Sequence, residues 1–596
     1  MFIFRYIAKF FKLIGKIFHA IGAFCLGCVG LGIVLILGYG FLSAFYQPSI
    51  PKHSVLVLDL AGEIRELPTE SPLSMQLLGN AEPMDTVLYD VIASLDKAAK
   101  DDHIDAVLLK LDQLSGAGIN TVREIGLALD RFKTSGKPIF AWGTNFSQVQ
   151  YSIAAHANEI YLHPMGFVGV KGLSSDRLYY GDLLKNLGVN IHVFKAGAYK
   201  SFPESFTRNS PSREWIEAES YWLNDAWHSL AADIEHSRGL IPGSVNRYID
   251  TLVENVSHSQ GNLAQAALQS SLIDGIKTYD STKHYIEEKL SKGTQSEFNF
   301  ISVYDYSSTL LTPISAPVAV LIAEGEIREG ESEPGVVGAE TLIDQIQALK
   351  EQADVKALVL RVNSPGGSAV ASEMIREALD QFKKAGKPVV VSMGDMAASG
   401  GYWISMAGSE IVASPVTITG SIGVFGLAPT FEKTLDKVQI GHGSVGTTWL
   451  ANAEKLTGPL DPRLESVLTQ SVARTYKDFT KLVSQSRSLP INQVLAVAQG
   501  RVWTGQQALD RHLVDHLGDF NAAIDRARVL AKLPQNANYV IANSQAEDVS
   551  SLLRGSLRKW TVPLSALGLD TLLSNVQQFN LTEPGLYAHS LVRCQP

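Results

Sequence analysis

Short runs of β-branched and aliphatic residues recur along the chain, each followed by a stretch with helical periodicity. SVLVLDL from Ser54, AVLLKL from Ala106 and IFAW from Ile139 stand in the first half. PVAVLIA from Pro317, ALVLRV from Ala357 and VVVS from Val389 stand in the second. Apolar runs this short read as strands buried on both faces. Alternating with helices, they predict βαβ units and a parallel sheet, an α/β fold. Gly136-Lys137-Pro138 and Gly386-Lys387-Pro388 punctuate corresponding places, with glycine at a helix C-cap and proline just beyond it.

The rhythm is an internal repeat. At an offset of 251 residues, Tyr151 matches Tyr402, Ile153 matches Ile404, Glu159 matches Glu410, Pro164 matches Pro415 and Gly169 matches Gly420. GEIRE occurs at Gly62 and again at Gly325, and LIDGI from Leu272 parallels LVDHL from Leu513. The order is kept throughout, which identifies a tandem duplication. A chain of 596 residues exceeds one core in any case. The expected organisation is an N-terminal segment over 1–46, a first repeat over 47–290, a connector over 291–315, a second repeat over 316–535 and an unassigned tail over 536–596.

The first fifty residues break the pattern. Ile21 to Phe45 is 25 residues without a charge, preceded by Arg5, Lys9, Lys12 and Lys16. That length exceeds the roughly 20 residues a helix needs to cross the hydrocarbon core, and the basic flank keeps the N-terminus cytoplasmic and the remainder exported. A cleaved signal peptide is the rival reading, with Leu42-Ser43-Ala44 as its cleavage site. Its apolar region would be only about 7–15 residues, which favours a retained anchor through residues 21–45. Cys25 and Cys28 lie inside this span and read as packing residues rather than a redox or metal pair, and Cys594 stands alone. The formal net charge is −9, with no basic run beyond the N-terminus, which argues against a nucleic-acid partner.

Candidate chemistry follows from where the halves differ. MAASGGYW places Ser399 ahead of Gly400 and Gly401, where a strand should pass into a helix. The first half has Gln148 and Val149 at the positions of Ser399 and Gly400. RVNSPGGSA from Arg361, with Pro365-Gly366-Gly367, has the counterpart KLDQLSGAG from Lys110 and no Pro-Gly-Gly. If these features were only tight turns, both halves would tolerate them. A hydroxyl at a helix N-terminus sits beside free backbone N–H groups, which suits a developing oxyanion, and glycines at the neighbouring strand end offer a second donor. A serine nucleophile also needs a base. No G-x-S-x-G occurs, and His442 is the histidine candidate. A lysine serves only when neutral, so it must be desolvated among small or apolar residues. Lys200 in FKAGAYKSF fits, with Lys195 and Lys455 as competitors, and its repeat position near Ala451 holds no lysine.

MAASGGYW, RVNSPGGS, TGSIGVFG from Thr419, GRVWTG from Gly500 and GAYKS from Gly197 together resemble signal peptide peptidase A in its long, duplicated form, protease IV. The resemblance runs from the N-terminal segment to LVDHLGDF near residue 520. It implies tandem β–β–α spiral domains of the Clp protease/crotonase type after one transmembrane helix, and a Ser/Lys dyad with no metal or cofactor. Ser399 would be the nucleophile, Lys200 the base, and the backbone near Gly367 and Gly400 the oxyanion hole. Gly366 and Ser421 would be in support. It further implies a homotetramer in the bacterial inner membrane, its catalytic part periplasmic, acting on released signal peptides and other apolar peptides through an apolar S1 pocket. The alternatives are a crotonase-like acyl-CoA enzyme, disfavoured by export, and an inactive membrane scaffold, disfavoured by the intact serine, lysine and glycine set.

Overall fold

A computed structural model describes residues 50–68, 85–291, 298–310 and 315–543, and the backbone of 587–589. In the first half the chain lays down β1 (Ser54–Leu58), β2 (Ile104–Lys110), helix α1 (Ile119–Lys133), β3 (Ile139–Gly143), helix α2 (Gln148–Ala154), β4 (Glu159–Leu162), β5 (Asn190–Ala196), β6 (Gly275–Ile276) and β7 (Asn299–Ser302). All but β5 form one parallel sheet in the order β6-β4-β3-β2-β1-β7.

The second half repeats the plan with β8 (Val318–Glu324), β9 (Ala357–Ser364), β10 (Gly366–Ser368), helix α3 (Ala369–Lys384), β11 (Val389–Ala398), helix α4 (Gly400–Ser405), β12 (Glu410–Ala413), β13 (Ile418–Gly420), β14 (Val424–Thr430), β15 (Val502–Thr504), β16 (His516–Leu517) and β17 (Tyr539–Ile541). The path β16-β12-β11-β9-β8-β17 reproduces the first sheet strand for strand. The edge strand of each sheet comes from beyond the expected repeat: β7 from the segment read as a connector, β17 from the segment read as tail.

β11 is longer than its counterpart β3. After pairing with β12 it continues beside β13, which pairs antiparallel with β15. This extension carries the chain to Ser399.

Strand alternation explains how the halves join. Along β8, Val318, Val320 and Ile322 belong to a core built mostly from the first half, whereas Ala319, Leu321 and Ala323 face the second half's own core. Along β9, Ala357 and Val359 face the first half while Leu358, Leu360 and Val362 face away. Side chains two apart share a face, so the second sheet uses one whole face to bury the first half. A second link is the antiparallel pairing of β5 with β14, from Asn190 opposite Thr430 to Ala196 opposite Val424.

The last described strand is β18 (Tyr587–His589). Its backbone runs antiparallel to β10, with Ala588 opposite Gly367, and it bridges to β14 where Tyr587 lies opposite Phe425. Among the described residues no helix is long and apolar enough to cross a membrane, and the apolar segment 21–45 lies outside them.

Candidate active site

Ser399 ends the extended β11 and caps α4. Its backbone sits at φ 56°, ψ −111°, a left-handed conformation that non-glycine residues adopt only when neighbours impose it. The neighbours are visible: its N–H donates to Gly420 O at 2.8 Å, and its carbonyl accepts from Trp403 N at 2.8 Å to start the helix. The first half folds the same turn differently. There Ser147, at φ −62°, is an ordinary N-cap with a reciprocal Gln150 bond. Gln148 turns its amide oxygen onto Lys171 N at 3.0 Å and Gly172 N at 2.9 Å. The strained turn therefore belongs to the serine half alone.

The two glycine turns meet. A Cβ built on Gly400 would lie 3.1 Å from Gly367 N and 3.2 Å from Gly366 Cα, so the strand ends carrying them touch. Gly367 has φ +152°, and a Cβ there would stand 2.0 Å from Ile327 O. Both effects forbid a side chain. Gly367→Ala is expected to lower kcat by about 10²–10³-fold, the loss seen when one oxyanion donor is displaced, with a much smaller change in KM. Steady-state kinetics on a folded variant checks it.

Lys200 comes from the other half. The chain leaves β5 at Ala196, turns at Gly197 (φ +115°), and donates Tyr199 N to Gln499 O at 2.8 Å. Gly500 lies under the lysine: a Cβ there would meet Lys200 Cβ at 2.8 Å. The same loop accepts Ser421 N at Arg501 O, 2.9 Å. GRVWTG thus provides the floor that presses the lysine against the TGSIG turn, a role its sequence alone did not disclose.

Lys200 Nζ lies 2.8 Å from Ser399 Oγ, 3.1 Å from Ser421 O and 3.1 Å from Ser421 Oγ. Lys200 is 2% exposed and Ser399 fully buried. Burial alone pulls the ammonium down to about 7 from its ordinary 10.5. These contacts suit a neutral amine. It has two N–H groups, which Ser421 O and Oγ can accept, and one lone pair, which then faces the Ser399 hydroxyl.

The competing bases are elsewhere. His442, Lys195 and Lys455 are all exposed, and His442 contacts Thr457. Among the described residues no cluster of His, Cys, Asp or Glu could hold a metal ion.

The geometry also contains a group that sequence reasoning missed. Arg361 is fully buried and ion-paired to Glu66 and Glu124 of the first half. The available signal was a charge inside the apolar run ALVLRV, at a position whose alternation points it toward the other half.

Two stretches of the chain, residues 131–292 and 381–534, match peptidase family S49, and residues 321–416 match the Clp protease family. Protease 4 of Salmonella typhi is 37% identical over 545 residues, spanning 89% of this chain and 87% of that one. The chloroplastic serine protease SPPA of Arabidopsis thaliana is 29% identical, over 92% of this chain and 79% of its own length. A putative signal peptide peptidase SppA of Enterococcus faecium is 29% identical, over 41% of this chain and 71% of its own.

Proposed function

The chain belongs to peptidase family S49 and is a serine protease, and from that premise we propose that Ser399 is its nucleophile and Lys200 its general base. The observation that carries this is the 2.8 Å approach of Lys200 Nζ to Ser399 Oγ in a buried site where burial holds the amine near neutrality. Membership of a peptidase family sets aside the acyl-CoA and scaffold alternatives.

Neutral Lys200 takes the Ser399 proton as Oγ attacks the scissile carbonyl, and the carbonyl oxygen becomes an oxyanion facing the N–H groups of Gly367 and Gly400. The Lys200 ammonium then gives its proton to the leaving amine. Water, deprotonated by the same lysine, hydrolyses the acyl-enzyme. Ser421 holds Nζ in line through both its oxygens. The register of β18 supports an extended peptide lying between β10 and β14: a backbone segment there is already antiparallel to β10, opposite Gly367.

Released signal peptides and other apolar peptides are the proposed substrates, in keeping with the name of the Enterococcus relative and with an apolar segment at 21–45 that would hold the enzyme at the bilayer. Assembly into a homotetramer belongs to the same proposal. Sedimentation of the full-length protein in detergent tests it.

The test of the dyad is a pH profile on the full-length protein in detergent, with a quenched peptide carrying apolar residues before the scissile bond. Lys200 works only when deprotonated, so kcat/KM should rise tenfold per pH unit below about 7 and level off above it. A profile flat from pH 5 to 9 would sink the lysine assignment.

A further inference from the structure

Arg361 lies on β9 with its side chain turned toward the first half, six positions before Gly367. It is 0% exposed, and Glu66 and Glu124 are 1% and 3%. Its Nε lies 2.9 Å from Glu66 Oε1, and its Nη2 lies 2.8 Å from Glu66 Oε1 and 2.9 Å from Glu124 Oε1. On the next strand, β11, Asp395 stands four positions before Ser399. Its carboxylate accepts from Thr121 N at 3.0 Å and from Thr121 Oγ1 at 2.5 Å.

Thr121 and Glu124 are three residues apart on the first turns of α1, so they project from one side of the helix. One end of one helix from the first half therefore grips two adjacent strands of the second. These are the strands that lead into the turns carrying the oxyanion glycine and the serine. The grip leaves no slack: a Cβ on Gly118, at the N-cap of α1, would fall 2.0 Å from the Asp395 carboxyl carbon. Glu324, at the end of β8, adds a third hold by accepting Glu66 N at 3.2 Å and Leu67 N at 2.9 Å.

We propose that Arg361 and Asp395, fastened by Glu66, Glu124 and Thr121 of the first half, are positioning residues that fix the spacing between Ser399 and the oxyanion glycines. The proposal rests on the Ser399 site described above. A hydrophobic contact would join the halves as firmly, since apolar pairs of similar volume often match a buried ion pair in stability. What the polar grip adds is direction. A guanidinium fork and a two-point carboxylate bond hold each strand at a set distance and angle, where apolar packing tolerates sliding. The carboxyls of Glu66 and Glu124 pair with the Arg361 guanidinium, while Glu324 holds the backbone of Glu66 and Leu67 and Asp395 holds Thr121. Burial pushes Glu124 and Glu324 up to about 7, and the Arg361 guanidinium partly offsets that rise at Glu124.

The expected signature is a loss in the chemical step without a loss in substrate binding. Thr121→Val keeps the shape of the side chain and removes the hydroxyl donor. It should lower kcat per active site by about 10-fold with KM within about twofold, because small misplacements of reacting groups are costly in rate. Thr121→Ser should restore most of the loss. Arg361→Lys keeps the charge but lacks the fork, and should lower kcat per site by about 30-fold or more.

Active sites are counted by burst labelling of the full-length protein with a fluorophosphonate, so that a misfolded fraction does not count as slow chemistry. Ser399→Ala is run alongside. If Ser399→Ala is inert and all three variants turn over within twofold of wild type per labelled site, the positioning role is wrong while the site stands. If the loss falls on KM, or if Thr121→Ser fails to recover what Thr121→Val loses, the role is also wrong. If Ser399→Ala keeps wild-type activity, the site itself is misassigned and the positioning role goes with it.

Discussion

Ser399→Ala is expected to lower peptide hydrolysis by about 10⁴–10⁶-fold and to abolish fluorophosphonate labelling while the protein stays folded. The substitution removes one oxygen from a fully buried position and leaves the α4 turn and both glycine turns in place. What survives is the rate due to peptide binding and the oxyanion donors. Lys200→Ala should cost a similar factor, because an undeprotonated hydroxyl at this site is a poor nucleophile. The double variant should be no slower than the worse single variant, since the two groups act in one step. Additive losses would mean that serine and lysine work independently, and the dyad would fail.

Lys200→Met should abolish turnover and stabilise the fold. Holding an amine at about 7 against its ordinary 10.5 means that folding at neutral pH works against desolvation of the ammonium. At about 1.4 kcal/mol per tenfold, the ceiling on that penalty is about 5 kcal/mol. Methionine fills similar volume but leaves Ser421 O and Oγ without their donor, which takes back about 1–3 kcal/mol. A net gain of up to about 2–4 kcal/mol remains. The sign follows from a pKa depressed in the folded state. Between about 7 and 10.5 the unfolded chain holds a proton that the folded protein has lost, so wild-type stability rises with pH across that window. The advantage of the variant should therefore be full at pH 6 and gone by pH 10, where the remaining desolvation penalty is no larger than the cost of the lost hydrogen bonds. Urea midpoints at the two pH values measure it. A variant less stable than wild type at pH 6 would show that burial is not what lowers the lysine.

The duplication, the parallel sheets and the strand ends leading to Ser399 and Gly367 were legible because apolar runs and Gly-Lys-Pro stops recur in the same order in both halves. The cross-half pairing of Ser399 with Lys200 was legible only as an asymmetry, since each half holds what the other lacks. Two things were not legible. The edge strands β7 and β17 are only four and three residues long, Asn299–Ser302 and Tyr539–Ile541, too short for a pattern to mark them before they dock beside β1 and β8. The Arg361 cluster required knowing which face of β9 meets the first half, and a single charge in VLRV does not reveal that before the sheets are stacked.

Lys200 and Ser399 are separated by 199 residues of chain. At translation rates of about 5–20 residues per second, the proposed base leaves the ribosome about 10–40 s before the proposed nucleophile. With that dyad, the nascent protein has no competent hydrolytic centre during the interval, however well its first half has folded. An abortive product ending anywhere before Ser399 is equally silent. A hydrolase whose proposed parts arrive in this order stays silent until its synthesis has passed the last of them.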